Sequence, residues 1–241
     1  MKKERRENIV EIKGISNTTL NDYPGVAAAT IFTGGCDFCC PYCHNRSLVV
    51  HAEKLPSMDE ESVIEWLAQR KSALEGICIT GGEPLQQADL GAFMYRLKEL
   101  GYKIKLDTNG YDPTHLSHLL KENMIDFISM DIKNILAKYA KTAGCSKFEP
   151  NRIRLSVDLI RDSGVDYEFR TTVVKELHSD RDMEEIGQWL RGVKAYYIQP
   201  YVASDDVIMP VFSSYDKQKM IEYRNMLRRY IPNAGLRGYE L

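Results

Sequence analysis

The sequence predicts an α/β protein whose strands run parallel to one another. Short apolar runs alternate with amphipathic helical patterns along most of the chain, and the runs resemble strands that are buried on both faces. Strand and helix in alternation require crossover connections, which are right-handed and make consecutive strands parallel. An open doubly wound sheet and a barrel both satisfy this order. The predicted strands are 26–32, 76–80, 103–107, 127–132, 167–173 and 195–199.

Capping signals predict where the intervening helices begin and end. Ser57 with Glu60 predicts a capping box at the start of one helix, and Ser179 with Asp182 predicts another. Proline is tolerated in a first helical turn, and glycine is common just beyond the last one. Further signals of these two kinds are Pro113, Pro150, Gly101 and Gly164.

Length and composition predict one domain over residues 1–241. Hydrophobic residues make up 44% and charged residues 27% of the 241 residues, as is typical of a globular protein with a full core. The net charge of −2 favours neither nucleic acid nor membrane as a partner. Residues 1–7 are charged and no apolar region follows them, so we expect no signal peptide. No apolar run is long enough to span a bilayer, and we expect a cytoplasmic protein.

Four of the six cysteines fall within residues 36–43, which favours a metal site over disulfides. Cys36, Cys40 and Cys43 could ligate three irons of a cubane and leave the fourth iron without a protein ligand, as catalysis requires. A structural zinc site, with His44 as its fourth ligand, is the alternative. Cys39 could replace Cys40, although we expect it to pack as a small apolar side chain. Cys78, inside a strand, is expected in the core.

Polar residues follow the predicted strands, where the active sites of parallel α/β folds lie. Gly81, Gly82 and Glu83 end the second strand, so a carboxylate there could accept from an ammonium group. Each of these residues also has a simpler interpretation as a turn residue or as half of an ion pair. At the ends of the third and fourth strands the corresponding residues are Asp107, Asn109, Asp131 and Lys133, and Arg170 lies on the fifth strand.

These motifs, taken together, resemble those of the radical S-adenosylmethionine (SAM) superfamily. The resemblance implies a partial (β/α)6 TIM-like barrel, with a cluster loop at 33–45 and a C-terminal helical segment at 213–241. It extends over most of the chain, and Cys43-His44-Asn45 is similar to the activating enzymes of glycyl radical enzymes. Within that group the chain most resembles the activating proteins of anaerobic ribonucleoside-triphosphate reductase, followed by pyruvate formate-lyase activating enzyme.

The resemblance implies a role for each residue of the site. Cys36, Cys40 and Cys43 would ligate a [4Fe–4S] cluster, and no side chain would act as a catalytic acid or base. SAM would lie against Tyr42 and His44, with its amino group at Gly81, Gly82 and Glu83. The remaining cofactor-binding residues would be Asp107, Asn109, Asp131, Lys133 and Arg170. Asp107 and Asp131 could also bind a monovalent cation.

The implied activity is that of an anaerobic oxidoreductase with a protein substrate. A glycyl radical enzyme would be the partner, and flavodoxin or ferredoxin would supply the electron. The chain departs from the pyruvate formate-lyase activator at Val202, where that enzyme has a histidine that contacts SAM. A radical SAM enzyme for a small molecule, such as 7-carboxy-7-deazaguanine synthase, and a zinc or iron–sulfur binding module remain alternatives. Apolar residues at 220, 223, 227 and 230 predict a C-terminal helix that packs on the core.

Overall fold

The computed structural model describes residues 10–239. Residues 1–7, on which the absence of a signal peptide was predicted, lie outside the described residues, as do the last two. No helix in the described part of the chain is long and apolar enough to span a membrane.

The chain divides into two compact units. The first unit contains 10–36, Ser47–Thr108 and Thr114–Phe127, and the second contains Asp37–Arg46, Asn109–Pro113 and 128–239. The organisation as one domain stays a prediction.

Strands and helices alternate in both units, as the sequence predicts. The strands are β1 Ile12–Thr19, β2 Ala28–Thr33, β3 Gly76–Gly81, β4 Lys103–Thr108, β5 Phe127–Asp131, β6 Asp166–Val173, β7 Tyr196–Pro200 and β8 Ala234–Leu236. The helices are α1 Arg46–Val50, α2 Glu60–Ala68, α3 Leu90–Glu99, α4 Pro113–Lys121, α5 Leu136–Ala143, α6 Pro150–Asp162, α7 Asp180–Trp189 and α8 Lys217–Leu227.

In the first unit, β2, β3 and β4 are parallel neighbours and β1 pairs antiparallel with β2. Ile31, Ile79 and Leu106 are in register on one face and form an apolar layer, buried completely. The opposite face carries Thr30, Cys78 and Lys105 in register, all buried as well. The sheet of the first unit therefore has one apolar face and one face with polar groups. Cys78 lies in the core, as predicted.

In the second unit, β6, β7 and β8 are parallel, and the Ile132 amide just beyond β5 donates to the Arg170 carbonyl on β6. Glu168 is buried on β6. It accepts from the Ser129 hydroxyl at 2.7 Å and from both terminal nitrogens of Arg237 at 2.7 and 2.6 Å. This bidentate contact attaches the residue after β8 to the middle of β6.

All six predicted strands are present, and two further strands were missed. β1 escaped prediction because most of its residues are only half-buried and its sequence is largely polar. β8 is only three residues long, too short to leave a pattern.

The predicted capping box of Ser179 and Asp182 is confirmed, whereas that of Ser57 and Glu60 is wrong. Helix α2 begins instead after Asp59, whose carboxylate accepts from the Ser62 amide at 2.9 Å. The Ser57 hydroxyl accepts a hydrogen bond from the Lys13 ammonium at 2.9 Å, which explains its place outside the helix. Helices α4 and α6 begin at Pro113 and Pro150, as predicted.

The C-terminal helix packs on the core, as predicted, but it is shorter than the apolar spacing suggests. Met220, Tyr223 and Leu227 of α8 are buried. Tyr230 lies beyond the end of α8 and donates to the Glu184 carboxylate of α7.

Candidate cofactor site

The Gly-Gly-Glu segment at the end of β3 runs against the start of the cysteine loop within the first unit. The Gly82 amide donates to the Thr33 carbonyl at 2.9 Å, and the Glu83 amide donates to the Gly35 carbonyl at 2.8 Å. A Cβ atom at Gly82 would lie 1.8 Å from the Gly35 oxygen. One at Gly81, where φ is +123°, would lie 2.3 Å from the Thr33 nitrogen. Both glycines are therefore required by the approach of one backbone segment to another.

Glu83 presents a buried carboxylate beside this turn. Its side chain accepts from the Leu85 amide at 3.1 Å and from the Thr108 hydroxyl at 2.6 Å. A buried carboxylate is a group that can accept a charge-assisted hydrogen bond from an ammonium group. Thr108 was not predicted, because a threonine at a strand end has no distinctive signature.

Asp107, at the end of β4, accepts from the ammonium of Lys105 two residues earlier. Lys105 itself is buried, which the sequence did not indicate. Positions two apart on a strand share a face, so this pair follows directly from the strand geometry.

The cysteine loop is held by backbone contacts within the second unit. The Cys43 amide donates to the Cys40 carbonyl at 2.9 Å, and the Cys39 amide donates to the Ala143 carbonyl at 3.0 Å. The loop after β7 adds two more bonds, from Ile208 to the Cys43 carbonyl at 3.2 Å and from Met209 to the Pro41 carbonyl at 2.8 Å. The backbone from Cys39 to Cys43 is thus fixed at several points.

Phe38 anchors the same loop through its ring. Its centroid lies 5.0 Å from that of Tyr111, 6.2 Å from that of Tyr139 and 6.5 Å from that of Phe148. Tyr139 and Phe148 stack on each other at 4.8 Å. Such pairs contribute beyond the apolar area they bury, so this aromatic cluster of four rings stabilises the loop independently of a metal.

The thiols of the loop differ in exposure. Burial raises the pKa of Cys40 to about 12 and also raises that of Cys43, so without a metal both are neutral thiols. Cys36, in the first unit, is half-buried. Cys39 is exposed, so the expectation that it packs as an apolar side chain is wrong. The hydrogen bond from the Cys39 amide to the Ala143 carbonyl fixes the backbone, while the Cys39 side chain lies outside the core.

Asp131 and Lys133, at the end of β5, form a compact charged cluster with Arg170 in the middle of β6. The Lys133 ammonium lies 2.8 Å from the Asp131 carboxylate, to which the Arg170 guanidinium also donates. Burial alone would raise the pKa of Asp131, but the charges of Arg170 and Lys133 outweigh it and hold the pKa well below its usual range. Likewise, Asp131 holds the pKa of Lys133 well above normal against the effect of burial. All three groups are charged near neutral pH.

His178 supports this cluster and was not predicted as a site residue. The buried ring accepts at Nδ1 from the Val174 amide at 3.0 Å, so Nε2 carries the proton and donates to the Lys133 carbonyl at 2.8 Å. Burial lowers the pKa of His178 and favours this neutral form. The imidazole therefore fixes the backbone of Lys133.

The remaining predicted site residues of the second unit have defined surroundings. Tyr42 is buried, and burial raises the pKa of its phenol well above normal. Asn109 donates to the Asp37 carboxylate at 2.7 Å and accepts from the Tyr111 amide at 2.8 Å, as a turn residue would. His44 stacks on Tyr201, with ring centroids 5.5 Å apart.

At Val202, where the pyruvate formate-lyase activator has a histidine, the side chain is exposed. The Val202 main-chain carbonyl instead contacts Nε2 of His44. The ring of His44 is thus oriented by Tyr201 and by this carbonyl.

Comparison with protein-family models shows the family of the chain. The model of the Radical SAM superfamily matches residues 30–190. The chain belongs to the radical SAM superfamily. A [4Fe–4S] cluster and SAM are the cofactors of this family, and the chain supplies thiols, an anionic turn and a charged cluster that fit them. Among the described residues, no group of three or more His, Cys, Asp or Glu side chains is arranged so that it could hold a metal ion.

Two curated relatives differ in how much of the chain they match. A "putative glycyl-radical enzyme activating enzyme" of Methanocaldococcus jannaschii is 30% identical over 233 residues, covering 94% of this chain and 95% of its own. A 7-carboxy-7-deazaguanine synthase of Thermoplasma acidophilum is 31% identical over 120 residues, 49% of this chain and 53% of its own. The resemblance to activating enzymes is confirmed over nearly the whole length.

Solved structures confirm the predicted fold class. SuiB of Streptococcus suis, in its complex with SAM, matches with a TM-score of 0.67 and 17% identity over 85% of this chain. The chain spans about half the length of SuiB, 48% of it. The α/β partial barrel of radical SAM enzymes is therefore the fold of this chain.

Proposed function

We propose that this chain is an activase for a glycyl radical enzyme, with anaerobic ribonucleoside-triphosphate reductase as the favoured partner. The observation that carries the proposal is the match to the Methanocaldococcus activating enzyme over 94% of the chain, beyond the segment of the family model. Pyruvate formate-lyase is the alternative partner, and the exposed Val202 disfavours it.

When bound, the cofactors would supply the difficult chemistry, which is the one-electron reductive cleavage of SAM and, through it, the removal of a hydrogen atom from a glycine. The protein contributes binding, orientation and exclusion of water. We assign the cluster ligands to Cys36, Cys40 and Cys43. Flavodoxin or ferredoxin is the proposed electron donor, and the cytoplasm is the proposed location.

Glu83 is the proposed contact of the amino group of SAM. Its buried carboxylate accepts from the Leu85 amide and the Thr108 hydroxyl, and an ammonium group beside it would donate a charge-assisted hydrogen bond. Gly81 and Gly82 keep this carboxylate in place because their backbones lie on Thr33 and Gly35. Asp107 is a further proposed contact.

For the carboxylate and the ribose of SAM we propose Lys133, Arg170 and Asp131. Lys133 and Arg170 carry the positive charge that a carboxylate requires, and Asp131 can accept from ribose hydroxyls. Tyr42 and His44 would lie beside the cofactor. The side chain of Asn109 already bonds to Asp37 and Tyr111, so its contribution would be to shape the loop.

The experiment combines the reconstituted chain, SAM and a low-potential reductant with candidate glycyl radical enzymes. We expect an electron paramagnetic resonance signal centred on a glycine in one partner, and its absence when that glycine is alanine. Cys43→Ala should remove the signal, whereas Cys145→Ala, a matched cysteine outside the motif, should keep it.

Two outcomes would contradict the activase proposal. Cleavage of SAM without a glycyl radical in any candidate partner would favour a small-molecule substrate, as in 7-carboxy-7-deazaguanine synthase. A colourless protein that contains zinc and no iron would favour the binding module.

A further inference from the structure

Strand β4 carries a lysine in an unusual environment. The Lys105 side chain is only 2% exposed, and lysines are almost never fully buried unless they are paired. Its ammonium contacts the carboxylate of Asp107 and lies 3.8 Å from the Cys78 sulfur. The thiol is a weak acceptor, so Asp107 is the group that compensates the buried charge.

The position of this pair within the first unit is fixed by strand geometry. Lys105 and Asp107 are two residues apart on β4 and share a face, and Lys105 is in register with Cys78 of β3. The Lys105 ammonium therefore lies beside the Asp107 carboxylate because of the strand geometry itself. Because Asp107 is a predicted contact of the cofactor, the charge of Lys105 acts on that contact.

The resemblance to activating enzymes implied a monovalent cation at Asp107 and Asp131. Asp107 already has the Lys105 ammonium, and Asp131 has both Lys133 and Arg170. A further cation beside either carboxylate would meet a like charge at short range in a medium of low dielectric constant. The residues present do not fit a bound Na⁺ or K⁺.

We propose that the Lys105 ammonium takes the place of the monovalent cation beside Asp107. SAM binding by this chain is then independent of Na⁺ and K⁺. The inference rests on the SAM-binding part of the proposed function and needs no glycyl radical partner.

Equilibrium dialysis of SAM against the cluster-loaded protein tests this in Na⁺, K⁺ or choline at one ionic strength. Choline is too large to enter a site built for a metal cation. For the unmodified chain we expect the same dissociation constant in all three salts. Lys105→Met should weaken binding about tenfold in choline, because the positive charge of Lys105 beside Asp107 is lost, and Na⁺ or K⁺ should restore it.

Two further variants separate this role from a structural ion pair. Lys103→Met removes an exposed lysine from the same face of β4 and should change nothing in any salt. Lys105→Met with Asp107→Asn removes both charges of this pair, so it should fold and be insensitive to the choice of cation.

Thermal unfolding in the same salts provides a readout without SAM. The midpoint of Lys105→Met should be higher in K⁺ or Na⁺ than in choline. Dependence of the unmodified chain on K⁺ or Na⁺ overturns the inference, and so does a loss in Lys105→Met that is equal in all salts. If no salt allows SAM binding, the proposed function fails, while the unfolding midpoints still decide the role of Lys105.

Discussion

The two units hold their candidate cofactor residues by different physical means. In the first, the Gly81-Gly82 turn is fixed by backbone atoms in contact with Thr33 and Gly35. In the second, Asp131, Lys133 and Arg170 are fixed by opposite charges. Steric contact depends steeply on distance and not on pH, whereas ion pairs depend on protonation and tolerate small displacements. The two regions should therefore respond to different perturbations.

Gly82→Ala should give the largest effect, because its Cβ would lie 1.8 Å from a backbone oxygen that cannot move aside cheaply. We expect a loss of about 3 kcal/mol in the free energy of unfolding. Gly91→Ala is the matched control. Its Cβ would lie 3.4 Å from Leu119, so this change in α3 should be neutral or slightly stabilising. Equal denaturation midpoints for Gly82→Ala and Gly91→Ala would contradict the claim that backbone contact fixes the Gly81-Gly82 turn.

Asp131→Asn should cost about 2 kcal/mol, because Lys133 and Arg170 would be left together without their counter-charge. The low pKa of Asp131 means that its carboxylate stabilises the folded state above the usual aspartate pKa of about 4. That stability is lost as the pH falls further, toward the folded-state pKa. Urea denaturation against pH should show this loss in the unmodified chain and not in the variant. Asp166→Asn, at an exposed ion pair, should behave like the unmodified chain.

His178 should give a smaller effect in a different pH window. Its lowered pKa means that the unfolded chain binds a proton first as the pH falls below about 6.5. The unmodified chain should lose about 1 kcal/mol over the next pH unit, and His178→Gln should lack that part of the slope. His118→Gln, at an exposed position of α4, should retain it. An unchanged slope in His178→Gln would mean that the imidazole does not support Lys133.

Cys39→Ser should have the smallest effect, because the Cys39 thiol is exposed. The hydrogen bond from the Cys39 amide to the Ala143 carbonyl does not depend on the side chain. Stability should change by less than about 0.5 kcal/mol, and iron content should be preserved. Cys40→Ser is the contrasting variant and should lose iron. If Cys39→Ser lost iron and Cys40→Ser kept it, Cys39 would be the cluster ligand in place of Cys40.

The elements with a strong local pattern, apolar strands and amphipathic helices, could be predicted from the sequence. All six predicted strands are present because short apolar runs between amphipathic helices rarely form anything but buried strands. The candidate site residues could be proposed because they follow those strands. β1 was missed because half-buried edge strands need not be apolar. The capping box predicted at Ser57 was wrong because Asp59, two residues later, is the residue that caps α2.

The residues that support the site were harder to predict. His178 and Thr108 act through single hydrogen bonds to partners that are far away in sequence. In the sequence, Lys105 looks like a surface residue, as Lys103 on the same face of β4 is in the structure. What distinguishes Lys105 is its pairing with the buried Cys78 of β3, which the sequence does not reveal. Long-range pairing of this kind leaves no local pattern.

The aromatic cluster around Phe38 has a consequence for the assembly of the metal centre. The rings of Tyr111, Tyr139 and Phe148 order the loop before any iron arrives, so the entropy of closing the loop is lost during folding and not during metal uptake. Cys40 and Cys43, the proposed ligands on this loop, would then need only to turn their thiols and lose their protons. A protein stripped of iron by air should therefore recover its cluster on chemical reconstitution without unfolding.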